Sequence, residues 1–356
     1  MCKICLVVPY FGKLPSTYRP WLRGLELNPT VDVLLVTNTD AGIVPTNVHV
    51  MSISFDELIA RFQAPFDFPI ELTSPYRICD YRPAFGVIFA DELKDYDFWG
   101  NCDMDQVFGD IRGFITDEVL SQYELINYLG HFTLYKNCAR INNMFMLENG
   151  VFSYREVFTS KTKRTFSFGE CMGTLGASLE KGYKRWVSHC YLDMNTSIAY
   201  RLKPPHYVAD YIYQTYYWED GHVYHAFVKD DVVSQNEYMY IHFQKRRMAN
   251  EISDVAHCDR FYICANNYIE KENHGVPSAE DIIQLSPYKG VVYERYLHFV
   301  AKIKKLTNLV TLSKDERRIV LLQWKWQPHF HKIMEMVAQN VSNSDKIKSR
   351  INMNVS

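Results

Sequence analysis

The sequence predicts an α/β fold in which a mainly parallel sheet carries helices on both faces, followed by a helical C-terminal part. Two observations predict it. Short apolar runs alternate with helical segments over the first hundred residues, and apolar positions recur at helical spacing over the last seventy. Alternating strands and helices are typical of a parallel sheet, because helices make its crossover connections. The 356 residues suffice for about two domains.

The first half supplies the strands and helices of the predicted sheet. The predicted strands are three apolar runs, namely Lys3–Val8, Val31–Val36 and Tyr96–Cys102. The predicted helices begin at a proline or a capping signal, namely Arg19–Leu27, Ser54 to about Phe62, and Arg82–Leu93. Asp80 stands just before the last of these and is expected to cap it.

The remaining residues indicate a mixed α/β middle and a helical end. The predicted elements are a strand over Gly130–Tyr135, a helix over Asn137–Asn149 and a strand over Tyr238–Phe243. The aromatic run Tyr207–Tyr224 fits either core packing or platforms that stack on sugars. Near the end, Ser313 and Glu316 match a second capping box.

Composition and charge exclude several classes of protein. The net charge of −2 does not suit a nucleic-acid-binding chain, and no apolar stretch reaches the ~20 residues of a membrane span. The nine cysteines are scattered and odd in number, which favours reduced thiols and a cytoplasmic location. Residues 301–356 are different, because they hold 11 Lys and Arg against 4 Asp and Glu, a net charge of +7.

Asp103-Met-Asp105 is the strongest chemical signal. Two carboxylates at positions i and i+2, just past a buried strand, can converge on one cation while Met104 turns away. Mg²⁺ and Mn²⁺ prefer carboxylate oxygens and commonly bridge to substrate phosphates. A turn with two solvated acids is the alternative. The apolar strand that precedes the pair favours a metal site.

His242 and the basic residues after it are the second signal. The imidazole of His242 ends a predicted strand and can complete a metal site opened by two carboxylates. Lys245, Arg246 and Arg247 can hold diphosphate oxygens. The alternative is a half-buried strand histidine followed by a solvated basic turn.

Four further residues are candidates for binding or catalysis. Asp80 and Arg82 can contact a nucleotide base or ribose, although Asp80 fits a helix cap equally well. Glu170 lies among aromatic residues and glycines, where desolvation would raise its pKa and suit it to general-base work. Asp193 is the second candidate for that base. The motifs of dinucleotide oxidoreductases, P-loop NTPases, zincins and α/β-hydrolases are absent from the sequence.

The order of these motifs resembles bacterial polysaccharide-biosynthesis glycosyltransferases of the GT-A type with a DxD motif. The segments that carry the resemblance are Ile4–Gly12, Cys79–Gly86, Tyr96–Asp105, Gly130–Asn137 and Tyr240–Arg246. The resemblance implies a GT-A-like, Rossmann-type mixed sheet over residues 1–250, with a nucleotide-binding half at 1–110 and an acceptor half at 111–250. Residues 251–356 would then be a mainly helical C-terminal region.

The resemblance also implies the chemistry: a sugar moves from a nucleotide-sugar, most commonly a UDP-sugar, to a growing cell-surface polysaccharide or oligosaccharide. Mn²⁺ or Mg²⁺ would bind at Asp103, Asp105 and His242. Pro9, Tyr10, Asp80 and Arg82 would line the nucleotide pocket, and Lys245 would bind the diphosphate. Glu170 and Asp193 remain alternative catalytic bases. No nucleic acid is expected as a partner.

Two other functions stay open from the sequence. Asp103-Met-Asp-Gln-Val loosely fits the motif of haloacid-dehalogenase-like phosphatases, although those enzymes carry it on their first strand. A non-catalytic module that binds nucleotide-sugars or glycans would share the fold. The basic end separately predicts peripheral contact with anionic membrane at the inner face, for example near a lipid-linked acceptor, unless its helices only cover the core.

Overall fold

The computed structural model describes residues 1–147, 152–164, 166, 182–252, 254–255, 257–314, 316–318 and 320–321. These residues form an α/β structure with a seven-stranded mixed sheet, a six-stranded sheet and a three-stranded sheet, so the predicted fold class is confirmed. No helix in these ranges is both long enough and apolar enough to cross a membrane.

The strands are β1 (Ile4–Tyr10), β2 (Val31–Thr37), β3 (Val48–Ser52), β4 (Phe98–Cys102), β5 (Gln106–Phe108), β6 (Leu125–Leu129), β7 (Phe132–Lys136), β8 (Arg185–Trp186), β9 (Tyr191–Asp193), β10 (Gln214–Glu219), β11 (His222–Lys229), β12 (Val232–Tyr238), β13 (Tyr240–His242), β14 (Ala249–Asn250), β15 (Arg260–Ile263) and β16 (Asn267–Glu270). The helices are α1 (Tyr18–Glu26), α2 (Phe55–Gln63), α3 (Phe85–Ile88), α4 (Ala90–Leu93), α5 (Ile111–Phe114), α6 (Asp117–Gln122), α7 (Ala139–Asn142), α8 (Tyr154–Phe158), α9 (Ala279–Gln284) and α10 (Val291–Thr311). Two 3-10 helices cover Pro75–Ala84 and Met144–Met146.

In the seven-stranded sheet, the direction in which successive strands are added reverses between β1 and β4. The order is β3-β2-β1-β4-β7-β6-β8, with β1 to β4 parallel and β7 antiparallel to both β4 and β6. The chain runs outward from β1 to β3 and returns to β4 on the other side of β1. Ligands of α/β sheets bind beyond the carboxyl ends of the strands at such a reversal. Here those ends are Tyr10 and Cys102.

β1 is apolar throughout because both of its faces are buried. Ile4, Leu6 and Val8 pack into one hydrophobic core, and Cys5 and Val7 pack into the core on the opposite face. A strand that is covered on both faces has a continuous apolar run in its sequence, without alternation between apolar and polar residues. That is why the sequence predicts β1, β2 and β4 to within a few residues.

The prediction of one continuous helix over Arg82–Leu93 is wrong. The segment is a 3-10 helix, Pro75–Ala84, followed by the two short helices α3 and α4. Pro83 lies inside the 3-10 helix, where its missing N–H cannot support an α-helical ladder. Asp80 is therefore not a helix cap.

The helix predicted at Asn137–Asn149 is also shorter than expected. It consists of α7 and the 3-10 turn Met144–Met146, and residues 148–149 lie outside the described ranges. The side chain of Asn137 donates to the carbonyls of Leu93 and Tyr96. These long-range bonds hold Asn137 against the turn before β4, ahead of the first residue of α7.

The six-stranded sheet extends past the predicted boundary at residue 250. Its order is β12-β11-β10-β15-β16-β14, so β15 and β16 belong to it and the expectation of a mainly helical region from residue 251 is wrong for them. Phe261 on β15 stacks on the buried ring of Trp218 on β10, with centroids 5.1 Å apart. Tyr216, Tyr217 and Trp218 are buried, so this part of the aromatic run packs in the core.

α10 is held to the body by an ionic cluster near its first turn. Glu294 accepts hydrogen bonds from Arg201 Nε at 2.5 Å, Lys203 Nζ at 2.8 Å and the Tyr200 hydroxyl at 3.0 Å. α9 and α10 confirm a helical end, and the backbone N–H of Glu316 donates to Ser313 as in the predicted capping box. Residues 322–356 lie outside the described ranges.

We predict that Glu294→Gln loosens α10 and lowers stability by about 1–3 kcal/mol, because buried Arg201 loses a charged partner. Burial raises the pKa of Glu294, but hydrogen bonds from Arg201 and Lys203 outweigh it and lower that pKa to about 2 from 4.5. The stabilisation is thus present above pH 4.5 and lost as pH falls toward 2.

Hydrogen exchange of α10 and thermal unfolding between pH 7 and pH 2 measure both effects. Exchange should rise in the variant at neutral pH, and the difference in Tm between variant and wild type should narrow in acid. Glu280→Gln, at an exposed position in α9, is the matched control and should behave as wild type. An unchanged exchange rate in Glu294→Gln would contradict the prediction.

Candidate functional site

Strand register brings the predicted metal ligands together. The three-stranded sheet has the order β5-β13-β9. His242 at the end of β13 pairs with Asp193 on parallel β9 and with Gln106 on antiparallel β5. Asp105 immediately precedes β5, and Asp103 lies two residues earlier, just past β4. Residues far apart in sequence therefore meet beyond the carboxyl end of β4.

Asp103, Asp105 and His242 form a three-ligand cluster. The Nε2 atom of His242 lies 3.4 Å from Asp105 Oδ1 and 3.8 Å from Asp103 Oδ2. One potential ligand atom from each residue lies within 4.8 Å of the others. Both carboxylates are partly exposed, so a cation and a ligand can reach them. Two carboxylates with one imidazole suit a divalent cation such as Mn²⁺.

The turn between the two aspartates is fixed from behind. Met104 is buried in the core, as predicted, and its carbonyl accepts a 2.7 Å hydrogen bond from Thr17 Oγ1. The backbone N–H of Asp103 donates to the His131 carbonyl at 3.1 Å. These contacts turn both carboxylates to the same side, which the alternation of a strand predicts for positions i and i+2.

A raised pKa of His242 indicates a proton there that offsets part of the negative charge at the site. Burial lowers the pKa of His242, but its hydrogen bonds to Asp105 and Asp193 outweigh burial and raise that pKa to about 10. For Asp105, burial raises the pKa, and the bonds from His242 and the Lys245 N–H bring it down to about 2. The imidazolium thus holds the carboxylates together when no cation is bound, and a cation must displace its proton.

Asp193 orients His242. Its Oδ1 atom lies 2.7 Å from His242 Nδ1, which leaves Nε2 facing Asp103 and Asp105. A carboxylate on the far nitrogen is the usual partner of a metal-binding histidine, because it fixes the tautomer and the ring orientation. The same partner holds the pKa of Asp193 below its usual value, although burial opposes this. Its role as general base stays a prediction.

His131 is a site residue that the sequence did not identify. Its ring stacks on His242 with centroids 4.2 Å apart, and its Nδ1 lies 3.1 Å from the Tyr240 hydroxyl. Burial, followed by the charge of His242, lowers the pKa of His131 to about 4, so the ring is neutral. With Asp193 and His242 it forms a second group of close potential ligands. In the sequence, His131 is marked only by its position in the Gly130–Asn137 segment that carries the family resemblance.

Cationic groups border the acidic cluster. Arg82 donates to the Asp103 carboxylate and to the Gly130 carbonyl. Lys245 Nζ donates to the Tyr76 hydroxyl at 2.7 Å, and Lys163 Nζ lies 3.8 Å from the centre of the Tyr76 ring. Burial raises the pKa of Tyr76, but the two lysines outweigh it and lower that pKa. Among the described residues, no carboxylate forms an ion pair with either lysine.

The turn that carries Lys245 is held in an unusual backbone conformation. Gln244 and Lys245 have φ angles of 50° and 65°, a region that non-glycine residues seldom adopt. The backbone N–H of Lys245 donates to the Asp105 carboxylate, and that of Phe243 donates to the Asp105 carbonyl at 2.9 Å. The strain is therefore maintained by bonds to Asp105, a candidate metal ligand.

Two residues predicted to contact ligand are engaged inside the protein. Asp80 is fully buried, pairs with Arg77 and accepts the backbone N–H groups of Arg164 at 3.0 Å and Phe166 at 2.8 Å. It anchors the segment that carries Lys163 and does not line a pocket. Arg246 donates to backbone carbonyls, including those of Ile198 and Ala199, and so is not a diphosphate ligand here.

Pro9 and Tyr10, which were predicted to line the nucleotide pocket, lie at the carboxyl end of β1. Tyr10 ends β1 and is half-buried; burial and then the charge of Asp105 raise the pKa of its hydroxyl. Pro9 precedes it and pairs with Val36 on β2. Glu170 lies outside the described residues.

The chain belongs to a family described as a family of unknown function (DUF6625), whose model matches residues 6–272. No curated protein matches the chain. The matched residues contain the candidate ligands and end just after β16, so they exclude α9 and α10.

We predict that Asp105→Asn weakens Mn²⁺ binding by at least roughly 100-fold, because it removes a ligand. Asp193→Asn should weaken binding less, by about 10–100-fold, because it only alters the partner that orients His242. Calorimetric titration with Mn²⁺ measures both. The control is Asp91→Asn, an exposed position in α4. Equal affinity in Asp105→Asn and wild type would exclude the site.

We also predict that Mn²⁺ affinity rises with pH across pH 6–9 as protons compete less for His242. A pKa of about 10 means that His242 is protonated throughout that range, so binding should release close to one proton. Affinity should then rise by about ten-fold per pH unit. Proton release in weakly buffered titrations checks this, and His242→Gln should abolish the pH slope. A flat profile in the wild type would show that His242 is not displaced.

Proposed function

We propose that this member of the DUF6625 family is a metal-dependent glycosyltransferase that moves a sugar from a nucleotide-sugar to a cell-surface polysaccharide or oligosaccharide acceptor. The observation that carries the proposal is the juxtaposition of two opposite kinds of group. Asp103, Asp105 and His242 suit a divalent cation, and Lys163 and Lys245 lie beside Tyr76 at the border of that cluster. A nucleoside diphosphate bound through a metal needs both.

The sheet supports a nucleotide on this side of the molecule. Strand order β3-β2-β1-β4 is that of a Rossmann-type mononucleotide half, with Tyr10 and Asp103 at the reversal of strand order. We therefore propose residues 1–110 as the nucleotide-binding half of a GT-A-like fold. The acceptor half would begin at 111 and, given β15 and β16, continue to about residue 270.

The proposed roles of the residues follow from their contacts. When bound, Mn²⁺ or Mg²⁺ would neutralise charge that builds on a departing diphosphate. Asp103, Asp105 and His242 would hold that cation, and Asp193 would keep His242 oriented through its Nδ1 contact. Lys163 and Lys245 would bind phosphate oxygens as point charges.

A module that binds nucleotide-sugar without turning it over is the second candidate. The hydrogen bond between Asp193 and His242 favours this candidate, because Asp193 held in that contact is not available as the catalytic base. A phosphatase shares the acidic pair, but its motif belongs on the first strand, whereas Asp103 follows β4. We also propose a cytoplasmic location, consistent with the free thiols of the described cysteines.

The test is a binding and turnover panel. UDP-, GDP-, CMP- and dTDP-sugars are compared by thermal shift with Mn²⁺ or with EDTA, and product is then sought by mass spectrometry across a set of glycan acceptors. We expect one nucleotide class to raise the Tm only with metal, and a sugar to be transferred. Binding without transfer would favour the module, and hydrolysis of p-nitrophenyl phosphate without donor binding would favour the phosphatase.

Variants of the lysine pair refine that test. Lys163→Gln and Lys245→Gln should each weaken donor binding by roughly ten-fold, the scale of one lost charged hydrogen bond, while leaving Mn²⁺ affinity alone. Lys94→Gln, at an exposed position away from Tyr76, is the control. Unchanged donor affinity in both variants would show that the two lysines do not bind the diphosphate of the donor.

A further inference from the structure

α10 carries an apolar stripe that faces solvent. Its members are separated alternately by four and three residues and are between 43% and 82% exposed, namely Val292, Tyr296, Phe299, Ile303, Leu306 and Val310. At 100° per residue they fall within one narrow arc of the helix. Apolar side chains aligned on one exposed face, unlike single scattered ones, indicate a surface that contacts something else.

The helix contacts the body through its other side. Glu294 is buried against Arg201, while Leu297 and Ala301 are half-buried, and these three positions lie opposite the stripe. From Lys302 to Asn308 every residue is exposed. Packing against the described part of the chain therefore does not account for the stripe.

The charge around the stripe is positive. Arg295 and Lys302 border it directly, whereas Lys305 lies on the other side of the helix, close to the position of Glu294. The single acidic residue of α10 is Glu294, which is already paired with Arg201 and Lys203. A helix with an aromatic and aliphatic face and a basic border is typical of segments that lie in the plane of a lipid interface.

We propose that this face of α10, the stripe with Arg295 and Lys302, docks on an anionic lipid surface. The inference goes beyond the proposed function and does not depend on it. The apolar side chains enter the boundary of the acyl chains, and the basic residues contact lipid headgroups. Tyr296 and Phe299 supply aromatic rings to the apolar face, as is common in helices that lie in a lipid interface.

Charge favours lipid over a second copy of this chain. The four-three spacing also suits a coiled coil, whose pairing depends on opposite charges beside the apolar seam. In α10 the charged residues next to the stripe, Arg295 and Lys302, are both basic. Two copies would bring like charges together, whereas an anionic headgroup neutralises them.

The test is co-sedimentation of the full-length protein with vesicles. Vesicles of phosphatidylcholine alone are compared with vesicles that also contain phosphatidylglycerol, at low and at high NaCl. Binding should require phosphatidylglycerol and fall with salt. Phe299→Gln with Ile303→Gln should lower the partition coefficient at least ~10-fold. Arg295→Gln with Lys302→Gln should lower it about five-fold per charge.

Controls separate lost docking from lost folding. Ile43→Gln alters an exposed apolar residue elsewhere, and Lys94→Gln removes a basic one; both should bind vesicles as wild type does. All variants should keep the wild-type Tm and Mn²⁺ affinity. Wild-type protein that stays in the supernatant at low salt, or a stripe variant that binds normally, overturns the proposal. The proposal is also overturned if the wild-type protein binds no vesicles but forms a concentration-dependent dimer that the stripe variant abolishes.

Discussion

The close approach of three carboxylates around one imidazole is the constraint on which the site depends. Asp103, Asp105 and Asp193 would repel one another if brought together without a cationic partner, because like charges in a partly buried site are weakly screened. His242 sits among them, with Nδ1 on Asp193 and Nε2 toward the other two. A protonated imidazole satisfies this arrangement in the free protein. A divalent cation carries more charge, and at the proposed metal site it would replace that proton.

The surrounding structure keeps this cluster in place through buried polar contacts. The Arg77–Asp80 pair fixes the segment that carries Lys163, because Arg77 also donates to the carbonyls of Val157, Ser160 and Thr162. Breaking such a buried pair leaves an unpaired charge, which is far more costly than losing a surface ion pair. Asp80 thus influences the site by positioning a loop, although its side chain contacts no solvent.

Local sequence signals predicted the elements, and long-range register produced the site. β1, β2, β4 and α2 follow from apolar runs and a capping box, which are read within a few residues. The Asp103–Asp105 pair was also visible locally. That Asp193 would face His242 depends on the pairing of β9 with β13, which no spacing in the sequence reveals. The sequence does not show that Asp80 turns inward, because that depends on its pairing with Arg77. The sequence also does not separate β15 from the helical region after it, because the alternating pattern of β15 is short.

The candidate site and α10 are joined by a short path of rigid contacts. Arg246, next to Lys245, holds the carbonyls of Ile198 and Ala199. The following residues, Tyr200 and Arg201, hold Glu294 at the base of α10. The links are hydrogen bonds from Arg246 to backbone carbonyls and side-chain bonds from Tyr200 and Arg201 to Glu294, so one short segment connects the loop beside the site to the base of α10. If α10 lies on lipid, this path sets the height and orientation of the Asp103–Asp105–His242 cluster above that surface. An acceptor carried on a lipid would then meet the site in one fixed geometry, while a soluble acceptor would gain nothing from the helix.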